Sequence, residues 1–342
     1  MIDYFKWPAI VTVLGLFLGA WLGWSVSGTL AGAAGAFFIT AILSILEISL
    51  SFDNAIVNAN KLRDMSPIWR QRFLTWGILI AVFGMRIIFP LAVVCIAAAI
   101  SPWAAVQLAW NEPSEYAKIM SQAHMSIAAF GGSFLMLVAL DFFLDTKKEV
   151  HWALWIEARS ALLGNVKGAG VAIVLALLLG VSMALSDDQQ ADFVIAGSWG
   201  ILTFLAVSSL GHFLDRSTGR DVAVSGGLGA FLYLEVLDAS FSFDGVVGAF
   251  ALTQNLFIIA IGLGIGAMYV RAMTIMLVDN RTLNDYRYLE HGAFYAVLAL
   301  SMIMFLQAVF HVPEIVTGLI GAGLICLAFL SSLRFNRRVE HS

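Results

Sequence analysis

The sequence contains few charged residues. Only 12% of its 342 residues are Asp, Glu, Lys or Arg, whereas 60% are hydrophobic and the mean hydropathy is +0.88. Soluble domains carry about 25% charged residues, so this composition excludes an ordinary soluble globular protein. The formal net charge of −4 gives no support to nucleic-acid binding. The apolar runs are long enough to cross a bilayer, which requires about 20 residues each.

Cysteine and proline are also scarce. Cys95 and Cys326 both lie in apolar runs and have no CxxC or Cys/His spacing, which excludes a disulfide framework and a zinc motif. The six prolines form no proline-rich linker, and there is no low-complexity stretch or soluble domain. We therefore predict an all-α polytopic membrane helical bundle, with the lipid bilayer as its first partner.

Hydrophobic segments predict ten membrane spans. If the N-terminus is cytoplasmic, 16 of the 19 basic residues fall on the cytoplasmic side and one, Lys118, on the other, as the positive-inside rule requires. We expect both termini in the cytoplasm and a bacterial inner-membrane location. Residues 145–160, which combine basic residues with tryptophans, predict a helix at the inner membrane surface. The predicted spans are 8–26, 30–59, 74–100, 124–144, 168–186, 194–214, 226–253, 256–278, 292–311 and 315–333.

Two of these spans contain related acidic motifs. The first, LEISLSFDNAIVNANKL, covers residues 46–62, and the second, LDASFSFDGVVGAFALT, covers residues 237–253. The shared pattern is [E/D]-x-S-x-S-F-D, with five identities and one acidic replacement within eight positions. Three of the identities are polar, so apolar composition does not explain the repeat. A carboxylate at the centre of a bilayer costs about 2.5–3.5 kcal/mol on insertion scales, which favours a functional reason for it.

The two motifs lie five spans apart and cross the membrane in opposite directions on the predicted topology. Residues 1–190 and 191–342 are therefore predicted to be inverted repeats, an organisation typical of secondary transporters with a substrate site near the membrane midplane. Arg86 and Arg271 each lie one span after a motif. We expect them to pair with carboxylates of the motifs or with Glu235, because an intramembrane arginine normally has an acidic partner.

The candidate ligands are all oxygen donors, which suits hard divalent cations such as Mn²⁺, Mg²⁺ or Ca²⁺. On an ideal helix the polar residues of the first motif occupy two faces, so its helix either lies at the bundle centre or unwinds at the S-F-D step. Buried carboxylates also bind protons readily, which would allow proton–metal exchange. The alternative is that the acids pair with the arginines only to hold the bundle together. The candidate metal ligands are Glu47, Ser51, Asp53, Asn54, Asp238, Ser242 and Asp244.

Four segments resemble the TerC family of integral membrane proteins, or an uncharacterised branch beside it in the LysE-like superfamily. They are EISLSFDNAIV, TWGILIAVFGMRIIF, DASFSFDG and YRYLEHGAFYAVLAL. The resemblance implies transport of metal ions, chiefly Mn²⁺ export. It implies Glu47, Asp53 and Asn54 as ligands from the first motif and Asp238 and Asp244 from the second. One departure is Gly245, where the family usually has serine.

These features together predict a metal exporter that works by alternating access and is not an enzyme. The metal would enter from the cytoplasm and leave on the other side. An alternative is an intramembrane aspartyl-type enzyme using Asp53 and Asp244, although the usual G-x-G-D context is missing. Another is an accessory that supplies metal to secreted proteins. The oligomeric state is left open, with a homodimer among the expected partners.

Overall fold

The computed structural model describes residues 2–63, 65–146, 148, 150–217, 227–280, 285–310 and 312–340. Regular structure within these ranges is helical throughout, which confirms the predicted all-α class. A π-helical segment, Ile80–Ile88, joins the fourth and fifth α-helices. The α-helices are α1 Ile2–Ser27, α2 Leu30–Leu50, α3 Phe52–Arg63, α4 Pro67–Leu79, α5 Phe89–Ala97, α6 Pro102–Asn111, α7 Pro113–Leu144, α8 Leu154–Gly164, α9 Ala169–Ser182, α10 Asp187–Ser217, α11 Leu228–Leu252, α12 Leu256–Asp279, α13 Leu289–Gln307 and α14 Glu314–Glu340.

Seven helices in the described part of the chain are long and apolar enough to cross a membrane: α1, α2, α7, α10, α12, α13 and α14. An eighth candidate is the pair Phe83–Ala97 and Pro102–Asn111, which meet at 104°. Two other predicted spans do not meet these requirements of length and low charge. The helix α11 carries three acidic residues, and α9 has only 14 residues. The ten-span topology and its orientation therefore stay predictions.

The helix α1 has a largely apolar exposed surface. The exposed fractions of Trp7, Phe17 and Trp21 are 71%, 69% and 61%. Soluble monomers rarely expose apolar side chains in such continuous patches. This surface is stable only against hydrocarbon, and the tryptophans are suited to the boundary between hydrocarbon and headgroups.

The chain forms two compact units. Unit 1 contains Met1–Ala55, Arg70–His124 and Phe241–Met276. Within it, α1 and α2 pack along each other and are joined at Gly28, whose φ of +65° is accessible to glycine at little strain. Thr29 then caps α2, because its hydroxyl oxygen accepts a hydrogen bond from the Gly32 N–H at 3.1 Å.

Glycines allow α2 to contact both of its neighbours in unit 1 closely. A Cβ on Gly19 or Gly23 of α1 would overlap side chains of α2. On the other side, a Cβ on Gly262 or Gly266 of α12 would collide with Leu43 or Glu47 of α2. Such small residues at intervals of four let membrane helices approach until their backbones touch. The helix that begins the first motif is therefore fixed between α1 and α12.

Unit 2 contains Ile56–Trp69, Met125–Ser240 and Leu277–Ser342. Close packing again depends on glycine, since a Cβ on Gly200 of α10 would overlap a backbone carbonyl of α7. Near its C-terminus, α7 contacts α13 through Phe142 and Phe294, whose parallel rings lie 3.9 Å apart between centroids. This contact holds the C-terminal end of α7 against the first turns of α13.

We expect Gly19→Leu to lower the stability of the protein and Gly35→Leu to leave it nearly unchanged. A Cβ on Gly19 would overlap Thr40, whereas no atom lies within 4 Å of a Cβ on Gly35. Overpacking of this kind costs about 1–3 kcal/mol. Thermal unfolding of the two variants in the same detergent measures the difference, and equal midpoints would contradict the close α1–α2 contact.

Candidate functional site

The first motif interrupts its helix at a single residue. Ser51 separates α2 from α3 and has φ −102° and ψ 16°. Hydrogen bonding continues across the interruption, because the Ser51 N–H donates to the Glu47 carbonyl and the Ser51 carbonyl accepts from the Ala55 N–H. The second motif lies inside α11, which is uninterrupted. The first copy therefore has a local break at its S-F-D step that the second copy lacks, and there is no unwound stretch of free carbonyls at Ser51.

Arg86 connects the two motifs within unit 1. Its guanidinium donates one hydrogen bond to the Glu47 carboxylate and another to the Ser242 hydroxyl. Ser51 donates to the same Glu47 oxygen at 2.9 Å. All four side chains are buried. The predicted pairing of Arg86 with a motif carboxylate is thus observed, and it brings polar residues of both copies to one guanidinium.

The backbone around Arg86 is unusual. Arg86 lies in the π-helical segment Ile80–Ile88, and at its end the Phe89 N–H bonds to the Gly84 carbonyl five residues earlier. The wider turn displaces side chains from their α-helical positions, and such segments occur frequently at functional sites. No sequence pattern in this stretch predicts the π geometry, which must be stabilised by the surrounding packing.

Two glycines shape the space around Glu47. A Cβ on Gly266 would overlap the Glu47 side chain, and a Cβ on Gly245 would lie 3.4 Å from its second carboxylate oxygen. Gly245 is the position at which the sequence departs from the TerC pattern. The departure therefore leaves a small residue beside the second oxygen of Glu47.

Asp53 and Asn54 lie buried in the first turn of α3, also in unit 1. The Asp53 carboxylate accepts the Asn54 backbone N–H at 2.9 Å. Among the described residues, no donor contacts the side-chain oxygen of Asn54. This segment can therefore offer a carboxylate and a carboxamide oxygen to a cation.

The remaining predicted residues have different surroundings. Asp238 lies in unit 2, where the Asn58 amide donates to its carboxylate at 2.7 Å, and Glu235 is buried in the same unit. Arg271 lies in unit 1 with its guanidinium 3.7 Å from the centre of the Phe73 ring. The structure describes the backbone of Asp244 within α11, but its side chain lies outside the described residues.

Within the described part of the chain, no group of three or more His, Cys, Asp or Glu side chains is arranged to hold a metal ion. The positive charge beside Glu47 is supplied by Arg86. The buried oxygen donors of unit 1 are nonetheless of the type that hard cations prefer. Those that the two motifs contribute among the described side chains belong to Glu47, Ser51, Asp53, Asn54 and Ser242.

Another buried carboxylate, Glu157, belongs to neither acidic motif. It lies in the first turn of α8, the helix predicted near the inner surface, and its exposed fraction is 0%. Lys148 lies 2.9 Å from its carboxylate, and the backbone N–H groups of Trp152 and Ala153 each donate to it at 3.2 Å. We call this group, together with two histidines described next, the Glu157 cluster.

The histidines of the Glu157 cluster come from different parts of unit 2. His151 Nδ1 and His291 Nε2 lie 3.3 and 3.4 Å from the same Glu157 oxygen. Burial raises the pKa of Glu157, but the hydrogen bond from Lys148, the Ala153 N–H and the nearby charges lower it more, so the net pKa lies below its usual value. The cluster fastens α8 and the segment before it to the start of α13.

The helices and their lipid-suited surfaces define this chain as a polytopic helical membrane protein. It belongs to the family described as "Protein of unknown function (DUF475)", which it matches over residues 52–339. The match begins within the first motif and covers most of the chain. No curated protein matches the sequence. No solved structure matches it either.

We expect Arg86→Met to destabilise the protein by about 3–5 kcal/mol, because the substitution leaves a buried carboxylate without its charge partner. Glu47→Gln in the same background should restore part of the loss, giving a coupling energy above about 1.5 kcal/mol in a double-mutant cycle. Denaturant unfolding in detergent measures all four proteins.

The exposed pair Glu115–Lys118 provides the control for that cycle. Its side chains are 48% and 64% exposed and lie 3.6 Å apart, so its coupling should stay below about 1 kcal/mol. Coupling of Arg86 and Glu47 no larger than that of the exposed pair would contradict the buried ion pair.

Glu157→Gln should destabilise the protein at pH 7.5 by about 2–3 kcal/mol, because Gln cannot replace the charge that Lys148 and two backbone N–H groups contact. A lowered folded-state pKa stabilises above the unfolded pKa, near 4.5, and this contribution is lost as pH falls through the folded value. The gap between wild type and variant should therefore narrow below pH 4.5. Thermal unfolding across pH measures it, and a constant gap would contradict this role.

Proposed function

We propose that this protein exports a divalent cation, with Mn²⁺ the favoured substrate, through carboxylate and other oxygen ligands of its two acidic motifs. The observation that carries the proposal is the convergence of Glu47 and Ser242, one from each motif, on the buried Arg86. A buried carboxylate that already faces a positive charge is suited to exchange that partner for a metal ion.

The proposed ligands in unit 1 are oxygen donors of both motifs. Carboxylate, carboxamide and hydroxyl oxygens favour Mn²⁺, Mg²⁺ or Ca²⁺ over softer metals. Asp238 keeps its predicted role as a cation ligand in unit 2. The ligands in unit 1 are Glu47, Ser51, Asp53, Asn54, Ser242 and Asp244.

The transport mechanism we propose is alternating access of two inverted repeats in a bacterial inner membrane, with both termini cytoplasmic. The repeated motifs and the distribution of basic residues support this arrangement. The resemblance of the motifs to TerC signatures supports outward movement of the metal. Protonation of the carboxylates in the metal-free protein would supply the exchange ion.

Asp53→Asn and Glu47→Gln should abolish metal flux while leaving membrane insertion intact. In everted vesicles, export appears as uptake, so we would measure uptake of Mn²⁺, Ca²⁺, Mg²⁺ and Zn²⁺ with and without a proton gradient. The wild type should accumulate Mn²⁺ and respond to the gradient, whereas both variants should match empty vesicles.

The matched control is Asp188→Asn, which removes an exposed aspartate at the start of α10 and should retain full flux. Wild-type flux in Asp53→Asn would refute the site. Normal insertion with no metal flux in the wild type would refute the transport function and leave the motif acids with a role in bundle stability.

A further inference from the structure

Unit 1 contains its own cation beside Glu47. The exposed fractions of Arg86 and Glu47 are 4% and 3%, and the guanidinium donates a hydrogen bond directly to the carboxylate. Both residues belong to unit 1, as does Ser242. Any cation that reaches Glu47 from outside therefore has to compete with a positive charge that is part of the chain and cannot diffuse away.

Arg86 has one charged and one neutral partner. One terminal nitrogen donates to Glu47 and the other to the Ser242 hydroxyl, while among the described residues no acceptor contacts the Nε–H group. A guanidinium has five N–H donors, so this one is held with part of its capacity unused. The Ser242 hydroxyl can still accept from Arg86 when Glu47 binds another cation. The guanidinium is thus held by a strong charge pair and by a second partner that does not depend on that pair.

Ligand chemistry alone does not explain how the proposed site would reject monovalent cations, because K⁺ also binds oxygen ligands in proteins. Coulomb energy does distinguish the ions, since it scales with their charge. A monovalent ion that replaces Arg86 brings Glu47 no more charge than the guanidinium does, and the exchange forfeits a charge-assisted hydrogen bond of a buried pair. A divalent ion brings twice the charge to the same carboxylate. The pair therefore discriminates between ions by their charge.

We propose that Arg86 determines the charge specificity of the cation site, because it holds Glu47 against monovalent cations and yields it only to a divalent one. The proposal rests on the proposed function and adds a selectivity mechanism to it. Arg86 does not bind the transported ion. It sets the charge that an ion must carry in order to bind Glu47.

The test is a titration of the full-length protein in nanodiscs with Mn²⁺, measured from the spin-resonance signal of free Mn²⁺. It is repeated in choline, sodium and potassium chloride at one ionic strength. The wild type should bind Mn²⁺ with the same affinity in all three salts. Arg86→Gln should bind Mn²⁺ about tenfold more tightly in choline chloride, because the positive charge beside Glu47 is gone. Sodium or potassium should then weaken that binding about tenfold, because each can now occupy Glu47.

Two further variants control for the charge. Arg86→Lys keeps the positive charge and should be as insensitive to sodium and potassium as the wild type. Lys118→Gln removes a positive charge that is 64% exposed on α7, and it should leave both the affinity and the salt response unchanged. A role of Arg86 in packing alone would not change which ions compete with Mn²⁺.

Thermal unfolding provides a second measurement that an unstable variant still allows. The midpoint of Arg86→Gln in choline chloride should lie below that of the wild type, and sodium or Mn²⁺ should raise it more than it raises the wild-type midpoint. Two results would overturn the specificity role alone. One is Arg86→Gln with wild-type Mn²⁺ affinity or with no midpoint response to sodium and Mn²⁺, and the other is wild-type Mn²⁺ binding that sodium weakens as strongly as in the variant. No binding of Mn²⁺, Mg²⁺ or Ca²⁺ by the wild type would overturn the proposed function as well.

Discussion

The buried contact between Arg86 and Glu47 is the interaction on which the rest of unit 1 depends. Neither charge is tolerable alone in a medium of low dielectric constant, so the fold must deliver both to one point. Gly266 permits α12 to approach the backbone beside Glu47, and the π-helical segment sets the position of Arg86. Ser242 then supplies a neutral partner from the second motif. The close helix packing, the π-helical backbone and the second motif thus all help to position Arg86 and Glu47.

Much of this arrangement could be predicted from the sequence because its causes are local. Hydrophobic length predicts helices, and the improbability of intramembrane charge directs attention to Glu47, Asp238 and Arg86. The repeat of polar identities indicates that the two acidic helices belong together. Packing distances could not be predicted in this way. The close α2–α12 contact requires glycines on one helix to meet particular residues of another, and their spacing alone does not name the partner.

The Glu157 cluster shows more clearly what could not be predicted from the sequence. In the sequence, Glu157 is one of several charged residues in the segment predicted to lie at the inner membrane surface, where charged side chains ordinarily face water. Its burial is created by His291, which approaches from a distant helix, and by backbone N–H groups that turn towards it. Asn58 poses the same difficulty. Its hydrogen bond to Asp238 depends on how α3 and α11 pack. The sequence also does not show that, among the described residues, no donor contacts the Asn58 side-chain oxygen.

The π-helical segment has a further consequence. A π turn holds one residue more than the α turn it replaces, so the surplus residue is a defect that can occupy different places along a helix. Moving that defect by one position past Arg86 would rotate the side chain by roughly 100° about the helix axis. The helices on either side would keep their hydrogen bonds. The backbone at Ile80–Ile88 therefore sets the direction in which a single buried charge, that of Arg86, projects from its helix.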